Sequence, residues 1–295
     1  MNPRDHALPF AWRRMAQRSL VLGPPLLFFV AFFLLPLLYL FAVSFLEPSQ
    51  TELYAKRFTL ANYGNVLADE FYLTIIGRSL LATVIVLGIS LVIAYPAAIV
   101  VARFEPKWRF RVLAILLFPL MVSNVVRAYG WISILGRRGV ANTMMLDLGM
   151  IDAPLSLLYS FSAVVVGLLT ILLPYMIISI ANALAAINKS YAEAAQSLGA
   201  GPWRTFWNVT LPLSSPGVAS GCMIVFFLSL SAYVTISLLG GPRFKMLVSL
   251  VFDTVVTFQW PRAAALSFVL LLMALIGGAV ILAITRPRRV RGTRA

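Results

Sequence analysis

The sequence predicts an all-α membrane protein with six transmembrane helices, and three observations carry the prediction. Charge is scarce: 12% of the 295 residues are charged and 61% are hydrophobic, with a mean hydropathy of +0.91. Soluble domains carry roughly 25% charged residues. The uncharged runs are also long. Segments 19–46, 79–102, 153–188, 205–242 and 263–285 hold no charge, and 112–136 is interrupted only by Arg127. About 20 apolar residues cross a hydrocarbon core of ~30 Å. Backbone in lipid must satisfy its own hydrogen bonds, which requires helices or a closed barrel. A barrel needs short strands of alternating polarity, which continuous apolar runs exclude.

The third observation is where the cations lie. The formal net charge is +14. With the N-terminus inside, segments 1–18, 103–111, 185–213 and 286–295 hold four, four, two and five Lys and Arg. The opposite side holds nine, set against seven of the ten acids. That asymmetry orients a membrane protein with both termini cytoplasmic. The basic balance therefore reports topology and implies no nucleic-acid partner.

Taken in order, residues 1–19 form a cytoplasmic tail whose lone His6 carries no chemistry. Residues 20–285 form the six-span domain, with spans near 20–46, 73–102, 112–136, 157–184, 215–239 and 263–285. The first is too long for the apolar core of a signal peptide, typically 7–15 residues, and reads as an uncleaved anchor. Pro24, Pro25, Pro36, Pro96, Pro119 and Pro174 fall in or near spans, where kinks are tolerated. External loops cover 47–72, 137–156 and 240–262. In the last, the apolar stretch Met246 to Phe258 is too short to span and reads as a re-entrant or interfacial helix, with Asp253 turned to protein or water. The tail RPRRVRGTRA, 286–295, reads as an anchor on the lipid surface.

Several chemistries are excluded. One cysteine, Cys222, gives neither a disulfide framework nor a metal cluster. No Gly-Lys pair exists, so the phosphate-binding loop G-x-x-x-x-G-K-[ST] is absent. A membrane-embedded enzyme would need clustered His, Cys or carboxylates within spans. A stand-alone secondary transporter would need intramembrane acids, and the span centres hold none.

Between the fourth and fifth spans lies the loop 188–213, containing YAEAAQSLGAGPWRTFWNVTLP. Ser190 and Glu193 have capping-box spacing for a short helix. Ala194 and Ala195 keep its profile low, and Gly199 or Gly201 can end it in the left-handed conformation. Pro202 suits the first turn of a second helix. Leu211-Pro212 is expected to turn the chain toward a span starting near Pro216-Gly217. Trp203, Phe206 and Trp207 belong at interfacial depth. On local physics this is a helix–turn–helix on the cytoplasmic surface, as consistent with an ordinary amphipathic loop as with a docking element.

Within the spans, Arg127 lies about 22 Å along a helix counted from Val112. An intramembrane charge marks a functional site by default. The competing reading is snorkelling to the external interface beside Tyr129 and Trp131. Asn124, Arg127, Trp131, Tyr233 and Asp253 are the candidates for a substrate pathway, with Tyr175, Asn182 and Ser231 as further polar groups. Gly217 and Gly221 permit close helix packing within the chain.

Glu193-Ala194-Ala195, three residues, Gly199, nine residues, then Val209-Thr210-Leu211-Pro212 resembles the EAA motif of ABC-importer permeases, EAA-x3-G-x9-I-x-L-P, with Val209 for Ile. RFTLANYGNVL at 57–67, RSLLATVIVLGISLVIAYPAA at 78–98 and VVRAYGWISILGRRGVANTMML at 125–146 resemble the spermidine/putrescine permeases, as do LLGGPRFKML at 238–247 and WPRAAALS at 260–267. The resemblance implies a type I ABC importer permease fold in a bacterial inner membrane. It implies a coupling role for Glu193, Ala194, Ala195, Gly199, Leu211 and Pro212, and as partners two ATPase subunits, a second permease subunit, related or identical, and a periplasmic binding protein. No cofactor is implied on this chain, because ATP and magnesium would sit on the ATPases. Permeases of similar sequence also serve opines, phosphonates and other small solutes.

Overall fold

Five segments form helices long and apolar enough to cross a membrane, and a sixth is bent. The computed structural model describes residues 23–49 and 53–285; the two expected tails, with His6 and RPRRVRGTRA, lie outside the described residues. The first span, α1, is Gly23–Val43. A small hairpin follows, β1 Leu46–Glu47 against β2 Ala55–Phe58, and then α2 Ala61–Ala68. The hairpin departs from the purely helical expectation. It lies in the loop predicted at 47–72, where strands need no shelter from lipid. Asn62 secures this unit by donating to the Ser44 and Leu46 carbonyls at 2.9 and 2.8 Å.

The second span, α3, runs Glu70–Arg103. Asp69 caps it by accepting from Phe71 N at 2.9 Å, and Arg103 complements the other end of its dipole. Pro96 is absorbed without a break.

The third apolar run corrects the expectation of one span at 112–136. It forms α4, Pro106–Leu117, which tightens into a 3-10 turn over Phe118–Met121 and stops. A second helix, α5 Asn124–Leu135, leaves at 84° and continues as α6, Val140–Asp147. Pro119 has no N–H to donate and its ring crowds the preceding turn. Ser123 then opens the new helix by accepting from Val125 N at 3.3 Å. Arg127 therefore lies in the first turn of a new helix rather than far along an old one.

Three spans remain. The fourth, α7, is Phe161–Ala186, and α8, Ser190–Ser197, follows it. The fifth, α9, is one continuous helix over Pro202–Ser231. This corrects the expected turn at Leu211-Pro212: a wide π turn at Phe206–Thr210 accommodates Pro212, so the helix begins 14 residues ahead of Pro216 and does not bend away. It ends at Ala232, whose ψ of 55° breaks the ladder, and α10 takes up at Tyr233–Gly240. The short apolar helix expected between Met246 and Phe258 is α11, Leu247–Val256. Ser79 of α3 accepts from its first amide, Leu247 N, at 2.7 Å. The sixth span, α12, is Trp260–Thr285.

Burial orders the spans. The most apolar stretch of α7 is 56% buried, against 44% for α9, 33% for α3, 11% for α12 and 6% for α1. Helix α7 thus sits between α3 and α9 at the centre, and α1 and α12 lie outside, presenting Phe28, Phe32, Leu275 and Ile284 outward. Gly217 and Gly221 explain how closely α9 crosses α7. A Cβ at Gly217 would fall 2.3 Å from Ala183 Cβ, and one at Gly221 2.7 Å from Met176 Sδ, both on α7. The small-residue pair serves packing within the chain.

Candidate functional site

Two places concentrate the sequence-derived candidates. At one end of the bundle, α8 projects as a short helix. Lys189 already has helical angles (φ −58°, ψ −28°), so the first non-helical capping position is Asn188, whose Oδ1 accepts from Ser190 N at 3.0 Å. This corrects the capping box: Ser190 is inside the helix, and Glu193 does not reach back to it. The Glu193 carboxylate has no protein partner among the described residues.

The far end of α8 follows the expectation for Gly199. Its φ is +82°, and Gly199 N and Ala200 N donate to the Gln196 and Ala195 carbonyls at 2.9 and 3.0 Å. These are the two bonds of a Schellman stop. Gly201 is extended instead and precedes Pro202 at the first turn of α9. The turn leaves Leu198 90% exposed and Trp203 74% exposed, with Glu193 and Ala194 also on the surface. Leu211 faces the other way and packs on the core, while Pro212 is exposed on α9. The motif thus has two parts: Glu193 to Gly199 outward, Leu211 inward.

Aromatic packing ties the start of α9, which follows this turn, to α3. Phe206 meets Trp203 and Trp207 at centroid distances of 6.0 and 5.4 Å, and Tyr95 of α3 edge-on at 5.5 Å.

The second place is a cavity of about 310 Å³ where the two helix breaks face each other. Asn124 and Arg127 come from the start of α5, Tyr175 from α7, and Ser231 and Tyr233 from either side of the break at Ala232. Leu120, Leu168, Ile171, Leu172 and Leu228 supply apolar wall. Arg127 Nη2 donates to the Val122 carbonyl at 2.8 Å and to Asn124 Oδ1 at 3.3 Å. Its Nε and Nη1 are buried and have no partner among the described residues. The side chain folds back over the break. Neither break could be read from hydropathy. Pro119 followed by Ser123-Asn124 is a stop-and-cap signal that could have found the first; Ala232 offers none.

Residues 94–289 match the family of binding-protein-dependent transport system inner membrane components. The chain belongs to this family. It is 34% identical over 253 residues to the spermidine/putrescine transport system permease protein PotB of Haemophilus influenzae, covering 85% of this chain and 87% of that one. Against PotB of Escherichia coli K12 it is 32% identical over 242 residues, covering 82% and 88%. A solved bacterial alginate ABC transporter, in complex with an alginate pentasaccharide-bound periplasmic protein, contains a chain that superposes with a TM-score of 0.76 at 19% identity, covering 98% of this chain and 99% of that one. The fold is that of a type I importer permease.

The other pathway candidates of this permease lie beside the cavity, not in its lining. Trp131 Nε1 donates to Thr170 Oγ1 at 3.2 Å and fixes α5 on α7. Asp253 is paired with Lys245 at 2.6 Å. One residue before it, Phe252 stacks on Tyr233 at 4.1 Å between centroids and so braces a lining residue. Asn182, on α7, is exposed and away from the cavity.

Proposed function

We propose that this chain is a pathway-forming permease subunit of an ATP-driven importer in a bacterial inner membrane, with both termini cytoplasmic. In this reading two ATPase subunits, a second permease subunit and a periplasmic binding protein complete it. The solute is a polyamine such as spermidine or putrescine, the solutes named for its relatives, or a related small polar solute. The observation that carries the importer reading is the projecting α8 with the Glu193–Gly199 spacing. It is an exposed, rigidly terminated helix whose acid has no partner among the described residues.

In this reading the helix has a mechanical role. Force applied to α8 would pass through the turn at Gly199 into the start of α9, and from there through Phe206 and Tyr95 to α3 and along α9 to the break at Ala232, where the cavity lies. ATP and loaded binding protein shift the transporter between inward- and outward-open forms only if they bind the two forms unequally. Glu193→Lys is expected to abolish uptake by the complete importer while leaving the permease in the membrane. Uptake by this chain reconstituted without any ATPase would instead make it a secondary transporter.

A further inference from the structure

We propose that the groove between α8 and the ends of α3 and α7 holds the phosphate headgroup of an anionic phospholipid on Arg103 and Lys189. This rests on the cytoplasmic orientation of that end of the bundle and is independent of the solute carried. The groove has a volume of about 400 Å³, room for a headgroup and the first carbons of its chains. Its polar side is Arg103 at the end of α3, Asn188 and Lys189 where α8 begins, and Gln196. All four side chains carry N–H donors that suit a phosphate oxygen. Its apolar side is Ile99 and Leu184, in the last turns of α3 and α7, with Phe206 of α9. Two cations and a strip of span surface thus meet in one recess at the level where helices leave the membrane. Basic pockets between spans on the cytoplasmic side suit anionic lipid headgroups.

The place of the groove on α8 separates a lipid from a docked subunit. Lys189, Ala192 and Gln196 line it and recur at i, i+3 and i+7, which is one face of a helix. Ala194 and Leu198 stand on the opposite, exposed face. A subunit seated on that outer face leaves the groove beneath the helix, between it and the spans. The apolar wall separates a lipid from a soluble anion. Inorganic phosphate would satisfy Arg103 and Lys189 but leave Ile99, Leu184 and Phe206 facing water. A phospholipid supplies an oxyanion for the guanidinium fork and a chain for the wall. The adjoining sequence has the same character. Arg103, Lys107, Arg109 and Arg111 stand against one acid, Glu105, within 103–111. Trp108 and Phe110 lie among them, 55% and 73% exposed, with the Arg111 guanidinium 4.6 Å over the Trp108 ring. Cations interleaved with exposed aromatics compose a segment that lies on an anionic lipid surface. A zwitterionic headgroup brings an ammonium that both cations repel, so the site selects a lipid of net negative charge.

The test strips the complete importer of lipid in detergent and titrates it with phosphatidylglycerol, phosphatidylcholine or water-soluble glycerol phosphate. Native mass spectrometry counts what stays bound. Phosphatidylglycerol is expected to bind about ten-fold or more tightly than phosphatidylcholine. Arg103→Gln and Lys189→Gln should each weaken it about five-fold, and together about thirty-fold, the effect of removing one or two cations at a lipid surface. Arg103→Lys should keep most of the affinity. Ala102→Phe, which fills the groove at unchanged charge, should weaken binding as well, and Arg138→Gln, exposed near the opposite end of the bundle, should not. Equal affinity for the two lipids would overturn the assignment, as would an unchanged affinity in the double variant. An equal loss in Arg138→Gln would reduce the effect to general surface charge and overturn it too. Glycerol phosphate bound as tightly as phosphatidylglycerol would make the groove a soluble-anion site instead. If the double variant sheds ATPase subunits while keeping its phosphatidylglycerol, the two cations belong to a protein contact and the assignment falls. Failure of any ATPase to co-purify would count against the importer reading alone, and the same titration of the permease by itself then decides the lipid site.

Discussion

The Tyr95 hydroxyl lies 2.7 Å from Ser214 Oγ across 119 residues of sequence, buried where α3 meets the base of α9. The same ring takes Phe206 edge-on, so one side chain joins the projecting helix–turn–helix to two spans. Ser214 also donates to the Leu211 carbonyl at 3.1 Å, which leaves it partnered if Tyr95 loses its hydroxyl. Tyr95→Phe is therefore expected to cost only about 1 kcal/mol, a net hydrogen bond, and to leave uptake within a few-fold. Tyr95→Ala removes the ring contact as well, worth about 0.5–1.5 kcal/mol beyond its buried area. It should let the complete importer hydrolyse ATP with little uptake. Measuring ATP turned over per solute in both variants checks this; equal coupling in the two would remove Tyr95 from the transmission path.

Gly199 separates backbone strain from surface contact. A Cβ there meets nothing within 4 Å, yet φ is +82°. Within this chain the objection to a side chain is thus conformational. A β-branched residue in the left-handed region costs about 1–2 kcal/mol, whereas Asn tolerates it. Gly199→Val should lose uptake at unchanged membrane abundance, and Gly199→Asn should retain most of it. Loss of uptake in both, with the same abundance, would show that a docked partner and not the turn forbids the side chain.

How much could be read in advance follows from the range of each interaction. Six apolar segments and the spacing from Glu193 to Pro212 are local patterns, and both were legible. Within 188–199 the stop at Gly199 was legible because only a left-handed position demands glycine. The cap was not, because Asn188 and Ser190 are both good cap residues and the choice lies in where Lys189 turns helical. Hydropathy counts apolar residues and is blind to direction, so the 84° bend after Met121 passed as one span. The cavity was least legible: Asn124, Arg127, Tyr175, Ser231 and Tyr233 come from three segments that only tertiary packing unites. Asn124, Arg127 and Tyr233 were singled out for their polarity in apolar surroundings. Trp131 and Asp253 met the same criterion but turned to Thr170 and Lys245.

The two glycines of α9 should differ under the same substitution. At Gly217 a methyl group would meet Ala183 Cβ at 2.3 Å and the Ser179 carbonyl oxygen at 2.8 Å, so a helix backbone must move. At Gly221 the tightest contact is Met176 Sδ at 2.7 Å, the flexible part of a side chain that can swing away. Overpacking costs about 1–3 kcal/mol when it cannot be relieved. Gly217→Ala is expected to lower the thermal midpoint of the detergent-solubilised protein clearly more than Gly221→Ala. The reverse order would place the tight crossing elsewhere.

The Lys245–Asp253 pair tests whether a short ion pair in an apolar protein is a structural element. Its 2.6 Å separation looks strong, but the two side chains are 40% and 44% exposed. At that exposure solvent screens most of the attraction, and such pairs contribute about 0–1 kcal/mol. What holds α11 in place is elsewhere: its first amide bonds to Ser79, and Leu247 and Leu250 pack with Val66, Ile75 and Leu266. Lys245→Met should therefore leave the thermal midpoint nearly unchanged. Ser79→Ala orphans the buried Leu247 amide and should cost about 1–3 kcal/mol. Thermal unfolding of the two variants side by side decides the matter. A larger loss from Lys245→Met than from Ser79→Ala would mean that the ion pair, and not the buried hydrogen bond, secures the helix beneath Tyr233.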